Sequence, residues 1–201
     1  MESSDTYLSI ATKSRGSIRE KASKFLAFAF PVVSEEEVKS QLVSLRKEYF
    51  NANHHCYAYR IGPPEKAIYR FNDDGEPSGS AGKTIYGQLL SRNLSDILVV
   101  VIRYFGGTKL GIPGLILAYK SAASEALDQN RITTKTMISR FLITFPVLQM
   151  NEVMQILKQE EAEILSQEYE EQYKIRFSIR KLKSDLIRTR LSSLANISIY
   201  E

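Results

Sequence analysis

Apolar and polar positions along the 201 residues fall into short runs that switch repeatedly between a period of two and a helical period. Lys24 to Val33 alternates and then turns apolar through Phe25, Leu26, Phe28 and Phe30, which predicts a strand, with Pro31 marking an edge or a terminus. Ser34 followed by Glu37 has the form of a capping box. Val38, Leu42, Leu45 and Tyr49 then form the stripe of an amphipathic helix. His55 to Ile61 and Lys66 to Phe71 read as a hairpin joined by Gly62-Pro63-Pro64. Residues 72–82 form a turn-rich loop, and Lys83 to Arg92 a helix with Ile85, Leu89 and Leu90 inward. Ile97 to Ile102 is wholly apolar, β-rich and too short to span a membrane, so it predicts a strand buried on both faces. Pro113 suits the first turn of a helix that runs to Asp128.

The pattern restarts after Gln129-Asn130-Arg131. Phe141 to Phe145, Glu163 to Glu168 and Tyr173 to Ile179 read as strands, and Asn196 to Tyr200 closes the chain as another. Helices are predicted over Gln149 to Lys158 and from Ser184 onward. That order is βαββαβ. A domain boundary near residue 135 follows, giving domains over 1–135 and 136–201 in an α+β chain.

Composition narrows the class. A hydrophobic fraction of 43% and a charged fraction of 25% are those of a soluble globular protein. Cys56 is the single cysteine and Met1-Glu-Ser-Ser-Asp is no secretory signal, so a reduced, cytoplasmic setting is expected, with no membrane partner. The net charge of +4 belongs to residues 1–135, which hold 18 Lys+Arg against 14 Asp+Glu; residues 136–201 hold nine of each. The first domain therefore points to an anionic partner. The run Glu160, Glu161, Glu163, Glu168, Glu170 and Glu171 makes an acidic face that would repel nucleic acid.

Four clusters carry candidate chemistry. Gly82-Lys83-Thr84 imitates the end of a phosphate-binding loop, but the position of that motif's first glycine is Pro77, which has no N–H to offer. A single anion at this helix start stays open. His54-His55-Cys56 lacks the further ligands zinc needs, so no metal or cofactor is expected, and Cys56 reads as a buried thiol. Asp73, Asp74, Gly75 and Glu76, with Ser78 and Gly79, are either paired acids or a surface turn. Arg103, Tyr104, Gly106, Gly107, Lys109 and Gly111 follow the buried strand, and Tyr119 and Lys120 come soon after. A guanidinium, an ammonium and aromatic faces beside permissive backbone suit phosphates and stacked bases. Equally, Arg103 could pair with an acid of the 73–76 loop.

Asp73-Asp-Gly-Glu-Pro-Ser-Gly-Ser-Ala-Gly82, Ile102-Arg-Tyr-Phe-Gly-Gly-Thr-Lys-Leu-Gly111, Gly114-Leu115 with Ala118-Tyr119, and His55-Cys-Tyr-Ala-Tyr-Arg-Ile-Gly62 together resemble the IMPACT/YigZ family, in its bacterial two-domain form. The resemblance covers about residues 15–130. It implies a ribosomal protein S5 domain 2-like first domain and a ferredoxin-like second domain resembling the last domain of elongation factor G. It implies RNA or the ribosome as partner, a part in modulating translation, and no established reaction. Two positions depart from the family pattern: Leu117 stands where many members have a basic residue, and Thr84 where many have proline. The resemblance carries Arg103, Tyr104, Gly106, Gly107, Lys109, Gly111 and Tyr119 over as motif positions; with Lys83 they are the expected nucleic-acid or anion site. Two alternatives remain. An enzyme or small-ligand binder would use a cleft between the 73–82 loop and the 103–111 turn, with Asp74 or Glu76 in reach of Arg103 or Lys109. A protein-interaction adaptor would expose an apolar patch near Tyr104 and Tyr119.

Overall fold

The computed structural model describes residues 5–201. The described residues form two compact units, one spanning Tyr7–Lys135 and the other Thr136–Glu201 together with Asp5 and Thr6. The architecture mixes helices with three β-sheets.

In the first unit, β1 (Thr6–Ile10) and β7 (Ile132–Thr136) pair as a ribbon. A five-stranded antiparallel sheet is built from β2 (Ser14–Glu20), β3 (Ser23–Pro31), β4 (His54–Ile61), β5 (Ile68–Asn72) and β6 (Ile97–Tyr104), in the order β2-β3-β6-β4-β5. β6, the continuous apolar run, is the central strand, as burial on both faces requires. One face is covered by α2 (Gly82–Ser91) and α3 (Gly111–Asp128), which close over Phe25, Ala27, Cys56, Ala58, Val99 and Val101. The other face carries α1 (Glu35–Glu48), which packs Val38 and Leu45 onto Phe28, Phe30, Tyr59, Leu98 and Val100. α1 starts where its capping residues place it: Ser34 Oγ accepts from Glu37 N at 3.2 Å, and Glu37 Oε2 accepts from Val33 N at 2.9 Å.

β1, β2 and β7 carry no readable alternation in the sequence. β2, Ser-Arg-Gly-Ser-Ile-Arg-Glu, is an edge strand with one face in water, and it presents Gly16 and Ile18 to α3. A Cβ at Gly16 would meet the Ala126 backbone at 2.6 Å, so the helix lies on bare backbone there.

Asp96 ties the sheet to the ribbon. It sits at φ +52°, a conformation Asp and Asn tolerate better than most residues. Its carboxylate accepts from Tyr7 Oη at 2.7 Å, Gly62 N at 2.8 Å and Lys135 Nζ at 2.7 Å. Burial alone would raise its pKa, but the Lys135 ammonium and the two other donors hold it below the ordinary carboxylate range.

The second unit contains β8 (Ile138–Phe145), α4 (Met150–Gln159), β9 (Glu163–Tyr169), β10 (Tyr173–Arg180), α5 (Ser184–Ser192) and β11 (Ser198–Tyr200). Its antiparallel sheet has the order β11-β8-β10-β9. Phe141, Ile143, Phe145, Ile175, Phe177 and Ile179 form one sheet face and pack on Val153, Leu157, Ile187 and Leu191 of the two helices. Arg180 donates to Asp5 from Nε at 3.1 Å and from Nη2 at 2.7 Å, and that bond holds the Asp5 carboxyl below its usual range.

Asp96→Asn keeps the tolerated φ and removes the charge, so it should cost about 2–3 kcal/mol at neutral pH, the usual worth of charge-assisted bonds. The folded-state pKa of Asp96 is depressed, so its contribution is complete above the unfolded carboxyl pKa of about 4 and fades as pH falls through the folded value. Urea melts at pH 7 and pH 3 check both parts: the gap between wild type and variant should shrink at the lower pH.

Candidate functional site

The 73–82 loop is organised by its own first acid. Asp73 Oδ1 accepts from Ala81 N at 3.0 Å and Gly82 N at 2.8 Å, and Oδ2 accepts from Gly79 N at 2.9 Å. The start of α2 therefore already holds a carboxylate, and the anion considered for Gly82-Lys83-Thr84 is Asp73 itself. Lys83 projects from the first turn of α2 into solvent. Gly82 is required because a Cβ would meet the Asn72 backbone at 2.7 Å.

Asp74 (φ +43°) and Gly75 (φ +89°) reverse the chain, helped by Asn72 Oδ1 accepting from Asp74 N at 2.7 Å. The Asp74 carboxylate accepts from Arg46 Nη2 at 2.7 Å and His55 N at 2.6 Å. Burial pushes its pKa up, and those two bonds more than offset it, so the group titrates below its ordinary value. His55 moves down as well, through burial first and the nearby Arg46 second, which keeps its ring neutral at neutral pH.

The reversal delivers Glu76 into the protein. Its Oε1 accepts from Arg103 Nη1 at 2.7 Å and from the Tyr119 hydroxyl at 2.8 Å. Both side chains of this ion pair are nearly inaccessible, 3% exposed for Glu76 and 6% for Arg103. The Cys56 thiol lies 3.3 Å from the Tyr119 hydroxyl and 3.0 Å from the Asp73 carbonyl. Burial raises the pKa of both the thiol and the phenol, so each stays protonated and unreactive. The cysteine is a packing group with a polar end. Among the described residues, no cluster of three or more His, Cys, Asp or Glu could hold a metal ion, and no helix is long and apolar enough to cross a membrane.

The other motif positions divide by exposure. Tyr119 is fully buried and meets Phe25 edge to face. Tyr104 is half-buried, its hydroxyl donating to Asn51 Oδ1 at 3.1 Å. Gly106 lies against Ala22, whose backbone a Cβ would meet at 2.0 Å. Gly107 and Gly111 take φ of +84° and +72° and bracket the short segment that carries Lys109. Lys109 and Ser78 are exposed. Arg103 and Tyr119 thus build the site from within, and Lys109 and Lys83 are the cations left facing water.

Around this frame lies a cleft of about 370 Å³. Glu76, Pro77 and Arg103 line it together with Phe105, Lys109, Leu110, Ile112 and Leu115. The concave site expected between loop and turn is present, with an acid in contact with Arg103. The apolar surface expected near Tyr104 and Tyr119 lies instead at Phe105, Ile112, Ile116 and Leu117, because Tyr119 points inward.

A second groove, of about 340 Å³, lies on the α1 face of the sheet. Lys39, Arg46 and Arg70 line it with Tyr57 and Tyr59, whose rings stack nearly parallel (5° between planes) with centroids 6.5 Å apart. Tyr59 bonds Glu35, the one acid of the lining. Sequence reasoning missed this site. The available signal was Tyr57 and Tyr59 two apart on one strand, with Arg70 reaching the same face through the Tyr59↔Arg70 register of the hairpin.

This mixed α/β chain with a glycine-rich motif cleft matches the model of the Impact N-terminal domain over residues 21–127. It belongs to the IMPACT family. It is 33% identical over 151 residues to the IMPACT family member YigZ of Escherichia coli K12, covering 75% of this chain and 74% of that one. It is 40% identical over 123 residues to the IMPACT family member YvyE of Bacillus subtilis 168, covering 61% and 56%. A crystal structure of a hypothetical protein superposes over 97% of this chain and 96% of its own, with a TM-score of 0.76 at 28% identity.

Glu76→Ala strands a buried guanidinium and should cost about 3–5 kcal/mol. The paired change Glu76→Leu with Arg103→Met removes both charges and should recover most of that loss. Thermal melts of the two variants give the comparison, and equal destabilisation of single and double variants would contradict the internal role of the pair.

Proposed function

We propose that this protein binds RNA, free or on the ribosome, and acts in translation through its first domain, an S5 domain 2-like unit carrying a ferredoxin-like companion. The observation that carries the reading is the groove on the α1 face. Lys39 and Arg70 converge there on two tyrosine rings, with Arg46 beside them on its bond to Asp74, and the only lining acid, Glu35, accepts from the Tyr59 hydroxyl. Cations beside aromatic rings hold single-stranded nucleic acid by phosphate attraction and base stacking. Further cations lie on the same face of the sheet, toward its β2 edge. Arg15 stands opposite Phe28, and Arg19, Lys24 and Tyr104 follow one another across β2, β3 and β6 on the same face. The family resemblance supports translation as the setting.

This reading moves the nucleic-acid contact away from Arg103, whose charge is engaged by Glu76. It leaves the acidic strand β9 and its turn, with Glu163, Glu168, Glu170 and Glu171, outside the interface, since they would repel phosphate.

Binding to single-stranded RNA and to purified 30S and 50S subunits, followed from low to physiological salt, tests the proposal. Affinity should fall steeply, with a log–log slope of about −0.7 for each phosphate neutralised on a single strand. A Lys39→Glu/Arg70→Glu variant should flatten that slope by about 1.4 without lowering stability, because both side chains are exposed. A salt-independent curve, or a variant with an unchanged slope, would overturn it.

A further inference from the structure

We infer that the motif cleft is a binding site for a small monoanion, a carboxylate carried on an apolar body, separate from the nucleic-acid groove. The cleft lies on the α2/α3 face of the sheet and the groove on the α1 face, so the two proposals stand or fall independently.

Charge comes first. Glu76 neutralises Arg103 within the wall, and Lys109 remains as an uncompensated cation of the lining. The lining therefore carries one net positive charge and suits one negative charge in the ligand. Chemistry of the walls comes second. Phe105, Leu110, Ile112, Leu115 and Pro77 present mainly carbon, and Phe105 and Ile112 are 44% and 53% exposed. Covering them with an apolar group removes that surface from water. A highly charged phosphate would waste these walls, and an uncharged hydrocarbon would leave Lys109 unmet.

The third observation is independent of both. Arg103 is 5% exposed and lines the cleft, yet its Nε is buried without a hydrogen-bond partner. Nη1 serves Glu76 and Nη2 lies 3.3 Å from Ser23 Oγ, which leaves Nε as the guanidinium nitrogen with no partner. Orphaned donors on buried charged groups are rare and destabilising. A ligand oxygen accepting from Nε would satisfy it, and a carboxylate can accept from Nε and Lys109 Nζ with its two oxygens. A volume of about 370 Å³ admits a single amino-acid-sized apolar acid. Such a group is found in a free acid and equally at the C-terminus of a peptide ending in an apolar residue.

The probes are N-acetyl-phenylalanine, N-acetyl-leucine and a pentapeptide ending in phenylalanine with a free carboxylate, each against its carboxamide, titrated into the full chain. Calorimetry gives affinity, and the Arg103 side-chain Nε–H resonance gives the site. The acids should bind at least about 10-fold more tightly than the amides, the worth of one charge-assisted hydrogen bond. They should shift the Arg103 Nε–H signal. Lys109→Ala should weaken the acids by about 5- to 10-fold and leave the melting temperature unchanged, since Lys109 is exposed. A pentapeptide at least 10-fold tighter than N-acetyl-phenylalanine would name a chain terminus as the source, and equal affinities a free acid. No binding of any acid below about 10 mM, amides equal to acids, or a static Arg103 Nε–H signal at saturation would each overturn the proposal.

Discussion

Everything distinctive in the first unit is arranged around one buried ion pair. Glu76 arrives from a loop, Arg103 from the end of the central strand, and Tyr119 from the middle of α3, and all three meet at a single carboxylate oxygen. Three elements far apart in sequence are locked at that point. A pair this inaccessible gains little net stability over an apolar contact of similar shape. What it imposes is position, because any shift of loop, strand or helix would leave a charge without its partner. The Phe25 and Phe105 rings, each about 5.5 Å from the guanidinium carbon, close it off further.

The glycines of the motif follow from this constraint. Gly75 completes the left-handed turn that carries Glu76 inward. Gly82 lets α2 begin directly against Asn72, and Gly106 lets the turn after β6 press on Ala22. Asp73 satisfies the start of α2, and Asp74 anchors the loop to β4 and α1. The motif is therefore a scaffold first. What the scaffold leaves outside is Lys109, Phe105 and the apolar wall of the cleft.

The two concave surfaces differ in kind. The cleft is small, mostly apolar and backed by a neutralised pair; the α1 groove is lined by three cations and tyrosine rings.

The sequence by itself determined most of the elements and the class of chain. α1 was legible because Ser34 caps its first turn and Glu37 bonds back to the Val33 N–H before it, and β6 because an unbroken apolar run rich in β-branched residues has nowhere to go except a sheet centre. The βαββαβ order of the second unit was legible from periodicity, since strands and helices there each present one clean apolar face. β1, β2 and β7 were not: a polar edge strand or a two-stranded ribbon owes its conformation to the partner it pairs with. The fate of Arg103 was undecidable for the same reason. Its alternatives, an internal acid or an external phosphate, differ only in whether Glu76 is delivered to it from 27 residues away. The α1 groove draws on α1, β4 and β5, and only strand register puts Arg70 beside Tyr59. Local sequence encodes local hydrogen bonding and burial. Which charges meet is set by chain reversal and register, and those exist only once the whole sheet has formed.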